Sequence, residues 1–117
     1  MDKRRGAAER LSHLQAAILA MVAEGERTGK GGAYGWGEIR RAVQRLGVTA
    51  YPGVSIRRAM LTLEAKGLIE PIPYVVRGED SGALWGLSDR GRALMRTRHL
   101  LPPHLLAEGH PARIEVS

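Results

Sequence analysis

Apolar residues recur three and four apart as far as Leu63, and from Leu68 onward they alternate. The first period belongs to helices and the second to strands. Helices are therefore expected first and a hairpin afterwards. Leu11, Leu14, Ile18, Met21 and Val22 form the stripe of a helix over 8–24, which the glycine-rich stretch 25–37 ends. Ile39, Val43 and Leu46 mark a second helix over 36–46, closed by Gly47. Residues 47–53, GVTAYPG, make a turn, and Pro52 suits the entry to a third helix over 53–66. Ile56, Ala59, Met60 and Leu63 are its inward stripe. Gly67 fits a left-handed helix end, with Leu68 and Ile69 packing back on the helix.

Residues 68–76, LIEPIPYVV, read as a strand. Pro71 and Pro73 confine it to a sheet edge, because proline has no N–H to give a ladder. RGEDSG at 77–82 is a polar turn, and ALWGL at 83–87 returns with Trp85 and Leu87 on one face. Ser88 caps a fourth helix over 89–100, with Asp89 in its first turn and Pro102 and Pro103 beyond its end. A short strand near Ala33 and Tyr34 and one helical turn at 104–107 complete the reading. The expected fold class is mainly α with a small β-hairpin, that is α+β. The domain spans 8–100, between a basic N-terminal arm at 1–7 and a C-terminal tail at 101–117.

A net charge of +6 on 117 residues suggests a polyanionic partner, most often nucleic acid. With no cysteine, disulfides, thiolate metal sites and cysteine nucleophiles are all excluded. No apolar run reaches the roughly 18–20 residues of a membrane span, so a cytoplasmic protein is expected. The stretch GERTGKGG at 25–32 has the look of a phosphate loop. It fails on three counts: three residues rather than four between Gly25 and Gly29, Gly31 where a hydroxyl must follow Lys30, and a helix before it where a strand should be. His13, His99, His104 and His110 have no metal-ligand spacing and read as surface residues. Ser12 and His13 are helix neighbours that point apart, so they make no nucleophile–base pair. No catalytic set, cofactor site or metal site is expected.

The order helix, helix, turn, helix, hairpin, helix allows the second and third helices to form a helix-turn-helix, with the hairpin as a wing. SIRRAMLTLEAKGLIE at 55–70 resembles the recognition helix of winged-helix transcription regulators. LWGLSDRGRALM at 84–95 is similar to the end of the wing and the helix after it in the same regulators. AILAMVAEGE at 17–26 followed by AYGWGEIRRAV at 33–43 resembles the opening of the PadR-like group. The chain departs from that group in its longer glycine-rich loop, in Trp36-Gly37 where Gly-Tyr would stand, and in Ile56-Arg57-Arg58, which lacks a Tyr-Pro. The resemblance implies a sequence-specific double-stranded DNA-binding transcription regulator, a homodimeric repressor.

Helical phase puts Val54, Arg58, Leu61, Thr62 and Ala65 opposite the inward stripe of the third helix, with Ser55 and Arg57 on the flanks. Arg57 and Arg58 fall in the first turns, where a recognition helix meets base edges, and arginine suits guanine. The competing reading is a solvated pair, or a pair bound to Glu64 or Glu38. Ser55 and Thr62 can bond phosphate or base edges, and Val54 and Leu61 can meet thymine methyls or sugars. Arg40, Arg41 and Arg45 on the second helix either touch phosphate or form a solvated face. Arg77 at the hairpin tip can reach backbone or minor groove, against repulsion from Glu79 and Asp80. Tyr34 and Trp36 either pack the first loop against the hairpin or line a ligand pocket. The first and fourth helices, through Leu94, Met95 and Leu100, are the expected dimer seam. Two other readings stay open: a winged-helix module for protein–protein assembly, and a replication, partition or phage DNA-binding protein.

Overall fold

A serine and a glutamine decide where the first helix begins. In the computed structural model, which describes residues 11–28, 33–45, 52–98, 106 and 108–117, the Gln15 N–H donates to Ser12 Oγ at 3.1 Å. The Ser12 N–H donates back to Gln15 Oε1 at 3.2 Å. This reciprocal capping box satisfies two amides that a helix start leaves open, and helix α1 runs His13–Thr28. It starts later than expected from periodicity. It also ends later, because Gly25 lies inside it and does not stop it. A side chain at Gly25 would bring a Cβ within 2.7 Å of Tyr34 Cγ, so the glycine is there for close approach rather than for termination. Residues 25–28 of the apparent phosphate loop are thus helical.

Helix α2 spans Trp36–Arg45 and buries Ile39, Ala42 and Val43. Its start is held by Glu38, whose Oε1 accepts the Gly35 N–H at 2.9 Å. Helix α3 spans Gly53–Ala65 and buries Ile56, Ala59, Met60 and Leu63, the inward stripe read from the sequence. It closes as expected on Gly67, whose φ is +75°. The Leu68 N–H reaches Leu63 O at 3.0 Å and the Gly67 N–H reaches Glu64 O at 2.9 Å, the paired bonds of a Schellman end.

Strand β1 (Ile69–Val76) and strand β2 (Glu79–Leu87) pair antiparallel, then helix α4 covers Asp89–Arg98. The turn between the strands is Arg77-Gly78 alone, not the six residues 77–82. Both have positive φ, 52° and 83°, the geometry a two-residue hairpin needs to match strand twist. Arg77 is an awkward occupant of that position. Arg77→Asn is expected to raise the unfolding free energy by about 0.5–1 kcal/mol, read as a higher urea midpoint at unchanged slope. An unchanged or lower midpoint would show that Arg77 is not strained there.

Ile114–Val116 forms a third strand, β3, parallel to β1, so the sheet order is β2-β1-β3. The strand with two prolines is therefore central, contrary to the edge position expected. The register explains how. Pro71 faces Trp85 and Pro73 faces Ala83. The Trp85 N–H points away from β1 and donates to Tyr34 O at 2.8 Å, so the Pro71 pair is one that exchanges no bonds. Pro73, two residues on, has the same phase up to the bulge that follows it. β3 joins only at Tyr74–Val76, beyond both prolines. Neither missing N–H is needed, and both blunt the open edge beside β3.

One apolar core lies between the helices and one face of the hairpin, where Ile69 and Leu87 meet Ile18, Val22, Ile56, Leu63 and Met95. The reverse face carries Ile72 and Leu84, which Ile114 of β3 and Ala33 cover. The residues expected to form a tail thus supply the lid of a second small cluster. Residues 1–10, 29–32, 46–51, 99–105 and 107 lie outside the described residues, and with them the basic arm, Lys30 and Gly31 of the apparent phosphate loop, Leu46, most of the turn GVTAYPG, His99, Leu100 and most of the 104–107 turn. Leu94 and Met95 are buried in the protein's own core, 8% and 0% exposed, so they do not form an open dimer seam.

Candidate nucleic-acid interface

The outward face of α3 is built from the same periodicity as its core. Val54 is 65% exposed and Leu61 51%, and Arg57 and Arg58 are exposed between them. No acidic residue stands in the first turn. Neither arginine is ion-paired to a described residue, which removes the expected alternative of a pair with Glu64 or Glu38. The helix starts on Pro52 without a side-chain cap. The Ser55 and Ile56 N–H groups both reach Pro52 O, at 3.0 and 3.2 Å, so among the described residues only the Gly53 and Val54 amides are left for solvent or an anion. Arg40 comes to this end, since a Cβ on Gly53 would stand 3.6 Å from Arg40 Cδ.

The other expected contact residues divide. Ser55 is half-buried on the flank. Thr62 commits its hydroxyl proton to Arg58 O at 3.0 Å and has only acceptor capacity left. Arg77 is exposed at the hairpin tip beside exposed Glu79 and Asp80. Arg57 lines a small cavity of about 50 Å³ with Trp36, Met60, Leu61 and Trp85. Arg41 lines a different space, a cleft of about 220 Å³ with Arg45, Glu38 and Tyr34. The structure therefore brings Arg40 to the start of α3, with Val54, Arg57, Arg58 and Leu61 along it, and sends Arg41 elsewhere. Tyr34 and Trp85 are joined by a β-bridge, so the first loop does pack against the hairpin.

A polar cluster around Glu26 went unread in the sequence. Glu26, with a fully buried side chain, accepts from Arg92 at 2.5 and 3.0 Å and from the Leu87 N–H at 2.7 Å. Arg92 also donates to Leu87 O at 2.9 Å. His110, expected on the surface, is largely buried, with Nε2 2.8 Å from Glu70 Oε2 and 3.1 Å from Leu87 O. A signal existed for Glu26. It continues the stripe Ile18–Val22 at a spacing of four, but only if the helix passes Gly25. For Arg92 and His110 no local pattern marks burial.

Burial pushes the Glu26 carboxyl above its ordinary range, against the Leu87 N–H, Arg92 and His110, which pull it down. The folded state then holds that proton more tightly than the unfolded chain does. This group's contribution falls as pH rises from about 4.3, the unfolded value, through the folded one. Unfolding free energies taken across acidic pH are expected to differ between wild type and Glu26→Gln by that downward slope. A difference that rises with pH would reverse the assignment.

Among the described residues no helix is long and apolar enough to cross a membrane, and no group of three or more His, Cys, Asp or Glu could hold a metal ion. No protein-family model, curated protein or solved structure matches the chain.

Proposed function

We propose that this chain is a winged-helix, sequence-specific double-stranded DNA-binding transcription regulator, acting as a repressor. In this reading α3 enters the major groove and the hairpin serves as the wing. The observation that carries it is the outward face of α3. Two arginines without an ion-pair partner among the described residues stand in its first turns, with no acid in the first turn and a third arginine at its start. Arg57 and Arg58 read base edges, Arg40 and the uncapped amides take a phosphate, and Val54 and Leu61 meet thymine methyls. Ser55 and Thr62 flank the groove contact, and Arg77 reaches the backbone. The active form is a homodimer in the cytoplasm, paired through the exposed flanks of α1 and α4 rather than through Leu94 and Met95.

Fluorescence anisotropy on a random-sequence duplex across a salt series tests this. Wild type is expected to bind and to weaken steeply with salt, as counterion release requires. Arg57→Ala/Arg58→Ala is expected to bind about tenfold more weakly or worse at low salt, with a shallower slope. A wild-type protein without affinity at low salt would sink the proposal. That outcome would favour the protein-assembly reading, for which the large exposure of Val54 and Leu61 is the supporting observation.

A further inference from the structure

Arg41 and Arg45 sit four apart on α2 and face the same way, an arrangement that like charges disfavour on a helix. Both line the 220 Å³ cleft, and neither is bonded to a described residue. Tyr34 also lines the cleft and is held at both ends. Its carbonyl takes the Trp85 N–H at 2.8 Å, and its ring is wedged against Gly25, where a Cβ would come within 2.7 Å. Its hydroxyl lies 3.1 Å from Thr28 Oγ1. Thr28 in turn is 2.9 Å from Glu24 O, to which it donates. The phenol is thus fixed in place while its proton can swing between Thr28 and a ligand.

The geometry points to a phosphoryl-binding cleft. Two guanidiniums on one helix face offer the forked donors that suit phosphate oxygens. Tyr34 supplies a third, pre-positioned hydrogen-bonding group. Glu38 is the fourth described residue of the lining, and its carboxylate is already oriented by the Gly35 N–H at 2.9 Å. A carboxylate beside two arginines discourages a bare anion and rewards a ligand that carries a hydroxyl next to its phosphate. At about 220 Å³ the cleft has room for a phosphoryl group and a short polyol. A small hydroxylated phosphate monoester fits this chemistry. A DNA backbone phosphate is the other source of the same group. The cleft stands apart from Arg57 and Arg58, so it does not depend on the groove-reading face.

The probes are ribose 5-phosphate, ribose and inorganic phosphate, titrated into the full chain and followed by the arginine Nε–H signals in NMR. A random duplex salt series runs in parallel. Saturable binding of ribose 5-phosphate is expected, without binding of ribose. It should weaken about tenfold in Arg41→Ala/Arg45→Ala and stay unchanged in Arg57→Ala/Arg58→Ala. Glu38→Gln should narrow the preference for ribose 5-phosphate over inorganic phosphate. If the sugar phosphate does not bind but the duplex salt slope of Arg41→Ala/Arg45→Ala falls by about 1–2, the cleft holds a DNA phosphate. If wild type binds no phosphate probe and the duplex slope is unchanged in that variant, the cleft is no phosphoryl site. Wild-type duplex affinity separately reports on the groove-reading proposal. All these arginines are exposed, so matching thermal midpoints check that the variants fold.

Discussion

Arg92→Ala is expected to lower the unfolding free energy by about 3–5 kcal/mol, the usual cost of removing one partner from a buried ion pair. Glu26 would keep its burial and its Leu87 amide but lose both bonds from the guanidinium. Leu87 O would lose its bond from Arg92 as well. Against a typical total of about 5–15 kcal/mol, that takes much of the margin. Urea unfolding followed by tryptophan fluorescence reads the loss. Part of it should return at acidic pH, because an unpaired buried carboxylate takes up a proton more readily. The double variant Arg92→Met/Glu26→Gln should also recover part, since it removes both charges and leaves an acceptor for the Leu87 N–H. A loss below about 1 kcal/mol in Arg92→Ala, the range of exposed pairs, would show that the cluster is solvated.

Gly91→Ala is expected to destabilise by about 3 kcal/mol, at the upper end of overpacking. Helix propensity alone predicts the opposite, a gain of about 1 kcal/mol inside α4. The two effects have opposite signs, so the measurement decides between them. A Cβ on Gly91 would collide with the carbonyl oxygen of Leu68 and stand 3.0 Å from its carbonyl carbon. Those are backbone atoms at the junction of α3 and β1. Their position is fixed by the Leu68 N–H bond to Leu63 O, by the Ser88 N–H bond to Leu68 O and by the Ser88 hydroxyl on Gly67 O. The three nearest atoms are all backbone, so none of them can swing aside. A thermal midpoint equal to or above wild type would mean that α4 does not pack this closely on the strand.

Both residues lie in the string LWGLSDRGRALM, and the order of elements around it was readable. Ser88 does cap α4, with the Gly91 N–H on Ser88 Oγ at 3.0 Å. What could not be read is why glycine and arginine follow one another there. The glycine answers to a carbonyl 23 positions earlier in the chain, and the arginine to a carboxylate 66 positions away. The outward phase of Arg57, Arg58 and Leu61 was legible because one helix sets it. The separation of Arg40 from Arg41 was not, because it depends on where α3 and Tyr34 sit around α2.

The sequence alone determined the order of four helices and a hairpin, and the chemistry of the ends at Gly67 and Ser88, but not the strand β3 or the extra helical turn at 25–28. The order and the ends follow from periodicity and from bonds between residues three to five apart, which any stretch of chain carries with it. Only the tertiary structure decided that α1 runs through Gly25, that Glu26 and Arg92 are buried together, and that β1 is central with β3 beside it. The first rests on the approach of Tyr34, beyond the reach of helix periodicity, and the other two on contacts between residues dozens of positions apart. Such a contact leaves no period in the chain, and its partners become neighbours only once the core has closed.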